Sequence, residues 1–300
     1  MSNPKSDYRC GFVSLAGRSN VGKSTLLNAM VGEKLSIVTH KTQTTRFRQT
    51  GIKTSDTAQI IFIDTPGLHR AGGRGLNRAM NRTALRTLSE GDLVLFVVES
   101  FRWTAEDEDL LAHLRESDVP VIVAANKIDL VKPREELLPQ IKALAARMDF
   151  REIVPVSATR QTNLPELEKV LIKWLPKSPP MYPEDQRTDR DAQFLASEFI
   201  REQMLLRLQQ ELPYGLQVGI ERFDDEAKIL HIGAVLWVDR AAHKSIVIGR
   251  GGSMLKGIGS AARAVLEEHF GKQVNLKLWV KVRPSWSDNS ADLQRFGYDS

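Results

Sequence analysis

A chain of 300 residues exceeds what one ordinary core needs, which points to two domains or to one large domain with an appendage. With 42% hydrophobic and 26% charged residues it has the make-up of a folded globular protein, which excludes a disordered or fibrous chain. The single cysteine, Cys10, excludes an intrachain disulfide, the six histidines have no zinc-type spacing, and a net charge of +5 by itself says little about partners.

Met1 to Arg9 carries neither the apolar core of a secretory signal nor an Arg/Ser-rich amphipathic pattern. Apolar runs such as Leu93 to Val98 fall far short of the roughly 20 residues that a membrane span requires. A reducing cytosol is the expected setting.

The first half alternates apolar runs of strand length with helical stretches: Gly11 to Ala16, Gln59 to Ile63, Leu93 to Val98, Val121 to Ala125 and Ile153 to Val156. Continuous apolar runs suit a parallel sheet covered on both faces, hence a three-layer α/β domain. After the first run comes Gly17-Arg18-Ser19-Asn20-Val21-Gly22-Lys23-Ser24-Thr25, which satisfies G-x-x-x-x-G-K-[ST] and opens a helical stretch ending near Val31. The glycines let backbone N–H groups converge on phosphate, and the helix N-terminus adds partial positive charge. Lys23 would reach the β/γ oxygens and Ser24 would ligate Mg²⁺.

The polar segment Lys41-Thr42-Gln43-Thr44-Thr45-Arg46 follows, where a threonine hydroxyl would complete Mg²⁺ coordination; Thr45 is favoured and Thr44 stays open. Asp64-Thr65-Pro66-Gly67 closes the next apolar run, placing Asp64 at the ligand-binding end of a strand, where it would hold Mg²⁺ through water. Gly67 would offer its N–H to the γ-phosphate, and Leu68 to about Arg86 would be ordered by GTP and released on hydrolysis. Asn126-Lys127-Ile128-Asp129 ends a further run; a carboxylate at Asp129 accepts from guanine N1–H and N2–H₂, a donor pair that adenine lacks, and so selects GTP. Ser157-Ala158 would add a backbone N–H for guanine O6.

Hydrolysis by such a site needs positioning and charge neutralisation rather than a nucleophilic side chain. Lys23, Thr45, Gly67 and Asn20 are the candidate catalytic residues. Leu68 occupies the place where many small GTPases carry a water-orienting glutamine, so slow intrinsic turnover is expected. Asn20 matches the position at which potassium-activated GTPases hold K⁺ against the phosphates, which makes K⁺ stimulation an expectation.

Four prolines between Leu175 and Asp191 exclude regular helix and central strand, and mark residues 179–192 as a linker between domains at 1–178 and 193–300. Beyond it the pattern predicts a helix (Phe194 to Leu212), strands at Leu216 to Glu221 and Ile229 to Asp239, a glycine-rich turn opening a helix at Ser253, and a last strand from Val274 to Arg283. From His243 to Ser287 eight Lys/Arg face two acids, whereas Met181 to Ala242 has seven against twelve, so this part is locally basic. Gly249-Arg250-Gly251-Gly252 supplies the G-x-x-G loop that clamps nucleotide backbone in KH domains. Lys256 follows on the helix, and on the last strand Lys277, Trp279, Lys281 and Arg283 alternate with apolar residues to form a basic face suited to single-stranded RNA.

The whole resembles the Era family of bacterial GTPases with a C-terminal KH domain. Beyond the nucleotide motifs, the likeness rests on Gln43-Thr44-Thr45-Arg46, Ser178-Pro179-Pro180, Tyr182-Pro183-Glu184-Asp185-Gln186, Glu211-Leu212-Pro213-Tyr214 and the run Val274 to Val282. Ser19 departs from it, standing where relatives commonly have proline, and Ala71 to Gly75 is unusually glycine-rich. The resemblance implies a three-layer α/β P-loop G domain with a smaller α+β KH domain of bacterial topology, acting with GTP/GDP and Mg²⁺. It further implies binding of the 3′ end of small-subunit rRNA, participation in assembly of the 30S subunit, and a bacterial cytoplasmic setting with a peripheral inner-membrane pool, with neither DNA nor an oligomer required. Two other readings compete: a nucleotide-gated scaffold that scarcely hydrolyses, and a membrane-surface GTPase drawn by the basic cluster.

Overall fold

The computed structural model describes residues 7–67, 75–208 and 215–298. Two compact units divide the described residues, one drawn from Met1–Ser36, Thr45–Gly72 and Met80–Asp189, the other from Ile37–Thr44, Gly73–Ala79 and Arg190–Ser300. Two short stretches within the sequence-assigned first domain thus cluster with the C-terminal unit. Among the described residues no helix is long and apolar enough to cross a membrane.

The first unit is built on a six-stranded sheet in the order β2-β3-β1-β4-β5-β6. Its strands are β1 (Arg9–Ala16), β2 (Gln49–Thr54), β3 (Ala58–Asp64), β4 (Leu93–Glu99), β5 (Val121–Asn126) and β6 (Glu152–Pro155). All neighbouring pairs are parallel except β2 with β3. Every residue of β3, β4 and β5 is buried, which is why these strands read as unbroken apolar runs. One face carries α1 (Lys23–Val31) and α5 (Leu164–Trp174) over a core that includes Val13, Leu26, Leu95 and Leu167. The other carries α3 (Ala105–Arg115) and α4 (Leu137–Ala145) over Phe96, Val98, Leu111 and Val123, with α2 (Gly75–Leu88) contributing Leu88. Each fully buried aliphatic side chain in these layers contributes about 1.5–3 kcal/mol.

The proline-rich segment is fastened rather than loose. Gln59, fully buried on β3, accepts at Oε1 from the N–H groups of Met181 and Tyr182 and donates from Nε2 to Tyr182 O. Ile52 N–H donates to Arg187 O, so the chain entering the second unit covers the free edge of β2.

In the second unit α6 (Ala192–Arg207), α7 (Ala241–Ile248) and α8 (Ser253–Phe270) pack on a three-stranded sheet, β7 (Leu216–Asp225), β8 (Ile229–Val238) and β9 (Gln273–Val282). β7 runs antiparallel to β8, and β8 parallel to β9. The sequence predicted helix, strand, strand, helix, strand, and the structure inserts α7 ahead of the glycine turn to give helix, strand, strand, helix, helix, strand. Asp191 caps α6 by accepting from Phe194 N–H at 2.7 Å. The tail folds back as a turn at Trp286–Asp288 and α9 (Ser290–Arg295), seating Trp286 with its indole N–H on Gly215 O at 3.0 Å.

Candidate functional site

The phosphate loop joins β1 to α1, and its glycines are fixed by space as much as by conformation. Gly17 has φ +151°, and a Cβ there would lie 2.5 Å from Val97 O. Gly22 has φ +103°, with Asn126 Nδ2 at 2.4 Å from the site of a Cβ. Lys23 is buried at 6% exposure and donates to Gly17 O at 2.8 Å and Arg18 O at 3.1 Å, so its ammonium is held within the loop. Thr25 follows in the first turn of α1.

Three oxygens converge beside it. Ser24 Oγ lies 2.6 Å from Asp64 Oδ2 and 2.8 Å from Thr45 Oγ1, while Asp64 Oδ1 is buried with no hydrogen-bond partner. Burial pushes the Asp64 carboxyl up, with Lys23 and Ser24 opposing. Hydroxyl and carboxylate oxygens of this kind suit a hard divalent cation such as Mg²⁺. Thr44 turns away, its hydroxyl bonded to Thr39 Oγ1 and Lys41 O, so the geometry favours Thr45 of the two alternatives.

Thr65 Oγ1 anchors the turn after Asp64 by donating to Leu15 O at 3.1 Å. Pro66 and Gly67 are buried, and a Cβ on Gly67 would come within 2.7 Å of Ser19 Oγ, so only glycine fits this close to the phosphate loop. The expectation for Leu68, and that for the segment up to residue 74, lie outside the described residues.

At the end of β5, Asn126 is a bridge. Its Nδ2 donates to Val21 O at 2.8 Å and its Oδ1 accepts from Ala158 N–H at 3.0 Å. Lys127, at φ +65°, reaches back to Asn20 O at 2.7 Å, and Asn20 is itself left-handed at φ +64°. Asp129 Oδ1 accepts from Ser157 Oγ at 2.6 Å and faces a pocket of about 630 Å³ lined also by Lys132, Leu137 and Arg160. The phosphate, metal and base residues read from the sequence thus gather at one end of the sheet.

In the second unit Gly249–Gly252 forms the turn between α7 and α8, with Gly249, Gly251 and Gly252 all at positive φ (74°, 59° and 80°) and Arg250 exposed. Beside it a groove of about 380 Å³ runs between α8 and β9, lined by Gly252, Lys256, Gly259, Arg263, Leu276 and Leu278. Lys277, Trp279 and Lys281 alternate with Leu276 and Leu278 and so lie on the opposite face of β9 from the groove. Lys281 is paired there with Glu221 at 2.9 Å, and Arg283 with Asp292.

The family described as "50S ribosome-binding GTPase" matches residues 12–127, and the family described as "KH domain" matches residues 211–287. The GTPase Era of Marinobacter nauticus is 47% identical over 295 residues, covering 98% of this chain and 96% of its own. The chain belongs to the GTPase Era family. A crystal structure of Era in complex with MgGDPNP and nucleotides 1506–1542 of 16S ribosomal RNA is 38% identical, with a TM-score of 0.94 over 98% of this chain and all of that one. Aquifex aeolicus Era bound to GDP and AlF₄⁻, a single-residue variant, gives the same TM-score and identity over 97% of this chain.

This Era-family GTPase also holds residues that sequence reasoning missed. Arg263 lines the groove with Lys256, one helical heptad away, and the spacing 256, 259, 260, 263 on α8 was a readable signal of one face. Glu99 and Asp107, buried against Arg18, had none: an acid at a strand end and one in a helix's first turn are ordinary capping residues.

Proposed function

We propose that this GTPase is a nucleotide switch whose KH unit binds the single-stranded 3′ end region of small-subunit rRNA and assists assembly of the 30S subunit. The observation that carries this reading is the full-length likeness to an Era captured with both MgGDPNP and 16S nucleotides. The α8/β9 groove supports it, with Lys256 and Arg263 along its helix side and the Gly249–Gly252 loop at its mouth.

Ser24, Thr45 and Asp64 would hold Mg²⁺, which would supply charge neutralisation at the phosphates. Lys23 and the loop amides from Arg18 to Thr25 bind and orient the phosphates, Gly67 presents its N–H to the γ-phosphate, and Asp129 reads guanine, joined by the Ala158 N–H once it turns or shares its bond from Asn126 Oδ1 to guanine O6. Asn20 is the position for K⁺. The setting is the bacterial cytoplasm with a peripheral inner-membrane pool.

A short RNA copying the 3′ end of 16S rRNA tests the reading, titrated with a GTP analogue, with GDP, and against Gly251→Asp. No atom lies within 4 Å of a Cβ at Gly251, so the variant adds negative charge without a clash, and aspartate is among the residues least penalised by the strain of φ +59°. Tight binding lost in Gly251→Asp is expected. Binding indifferent to the substitution would remove the loop from the interface, and no binding in the unaltered protein would remove the RNA function.

A further inference from the structure

Four charged groups form one network around the phosphate loop residue Arg18, three of them buried and the fourth, Lys127, partly exposed. Arg18 and Glu99, at the end of β4, each retain 8% side-chain exposure and pair Nη2 to Oε2 at 2.5 Å. The Nε of Arg18 turns to Asp107 Oδ2 at 3.1 Å, and that side chain is fully buried. Asp107 Oδ2 also accepts from the Thr104 N–H and hydroxyl, each at 2.8 Å, at the start of α3, so the network is anchored to a helix. The second oxygen of Glu99, Oε1, is paired with Lys127 Nζ, and the same ammonium donates to Asn20 O. One carboxylate therefore connects the phosphate loop to the guanine motif, and Lys127 closes the circuit onto the loop.

Ion pairs this buried gain little net stability, because desolvation consumes most of the Coulombic attraction. What they supply is fixed geometry. Each Glu99 oxygen is engaged by one cation, Oε2 by Arg18 and Oε1 by Lys127, so the carboxylate joins the two. Burial raises the Glu99 carboxyl, but Lys127 and Arg18 outweigh it and hold it below the ordinary range, so it is ionised at neutral pH.

We propose that Glu99 is a positioning residue for nucleotide binding: by bridging Arg18 and Lys127 it keeps the phosphate loop in register with the guanine motif, so that base and phosphates are recognised as one unit. The proposal rests on reading the loop and Lys127 as the nucleotide site. Through Arg18, Asp107 extends the tie to α3.

The full-length protein tests it through Glu99→Gln, which keeps the shape and removes the charge. GDP dissociation constant and GTP KM rise tenfold or more, while kcat stays within threefold, because Glu99 acts on binding and touches no reacting atom. A double-mutant cycle of Arg18→Gln and Lys127→Gln, read by GDP affinity, departs from additivity at least fivefold with Glu99 present and is additive within twofold in the Glu99→Gln background. A Glu99→Gln protein that binds GDP within twofold of the original, or one that loses kcat in proportion to binding together with nucleotide-free melting temperature, overturns the proposal. So does a cycle that is additive with Glu99 in place, and this arm decides alone if Glu99→Gln does not fold. Absence of GDP binding in the unaltered protein would instead sink the nucleotide-site reading on which the proposal rests.

Discussion

Burial brings the Lys23 ammonium down to a pKa of about 8, with Asp64 opposing and Arg18 adding to the shift. Phosphate oxygens bound at the loop favour the charged form, so the pKa in the complex lies above that of the free protein. Nucleotide binding above about pH 8 then takes up a proton. The sign follows from linkage: GDP affinity is nearly flat below about pH 7, then falls as pH rises through about 8, approaching a tenfold loss per unit. Titrations between about pH 6.5 and 8.8 check this, with proton uptake measured directly in two buffers of different ionisation enthalpy. Affinity independent of pH across that range would show that Lys23 keeps its proton whether or not phosphate is bound. At this scale the sequence picked out most of the residues that the fold gathers at one end of the sheet, because a phosphate loop, an Asp at a strand end and Asn-Lys-x-Asp each impose fixed spacing. It favoured Thr45 but left Thr44 open, since which hydroxyl turns toward Ser24 depends on a chain reversal that spacing does not encode. It could not show Glu99, whose partners lie 81 residues before it and 28 after.

Helices and strands were legible where burial is two-sided or periodic and illegible where it is not. The strands β3, β4 and β5 are buried along their whole length and read as apolar runs. β2, with the sequence Gln-Thr-Gly-Ile-Lys-Thr, escaped notice because its polar residues are satisfied by tertiary partners: Gln49 by Leu35 O and Ser36, Thr50 by Asp189. α7 also went unseen; it is eight residues long, with only Val247 buried and no side-chain cap to mark its start. The last strand was legible as a two-faced element and its basic face was read as the one for RNA, whereas the groove beside the glycine loop lies on the other face, where α8 packs. The groove adjoins Leu276 and Leu278, so strand binding is expected to draw on Lys256 and Arg263 across from them. Lys256→Ala and Arg263→Ala each weaken single-stranded RNA and each lower the slope of log affinity against log salt by about 0.7, one phosphate contact apiece. Trp279→Ala leaves affinity within about twofold, since alanine removes only the stacking that a groove-bound strand would not use. A loss at Trp279 comparable to that at Lys256 would place the RNA on the outer face of the sheet instead.

For the whole molecule, nucleotide and RNA are coupled only if each changes the free energy of binding the other, and such coupling is reciprocal by thermodynamic necessity. The residues of Ile37–Thr44 make the connection physical. Within the second unit, Arg201, paired with Glu198 and 1% exposed, donates to Thr44 O at 2.5 Å, and Glu202 accepts from Val38 N–H at 2.9 Å. The next residue along the chain is Thr45, whose hydroxyl meets Ser24. Two bonds hold this stretch to α6, at Val38 and at Thr44, and the second lies one residue before Thr45. A GTP analogue is therefore expected to change RNA affinity relative to GDP by a factor of about 5 to 150, the usual span of allosteric coupling. RNA must then change the ratio of GTP-analogue to GDP affinity by the same factor. Measuring both arms checks the cycle. Arg201→Met combined with Glu198→Gln, which removes the donor to Thr44 without leaving a buried carboxylate unpaired, shrinks the common factor toward one and leaves RNA binding in GDP intact. A factor of one in both arms of the unaltered protein would mean that the two units act independently and that hydrolysis does not gate RNA.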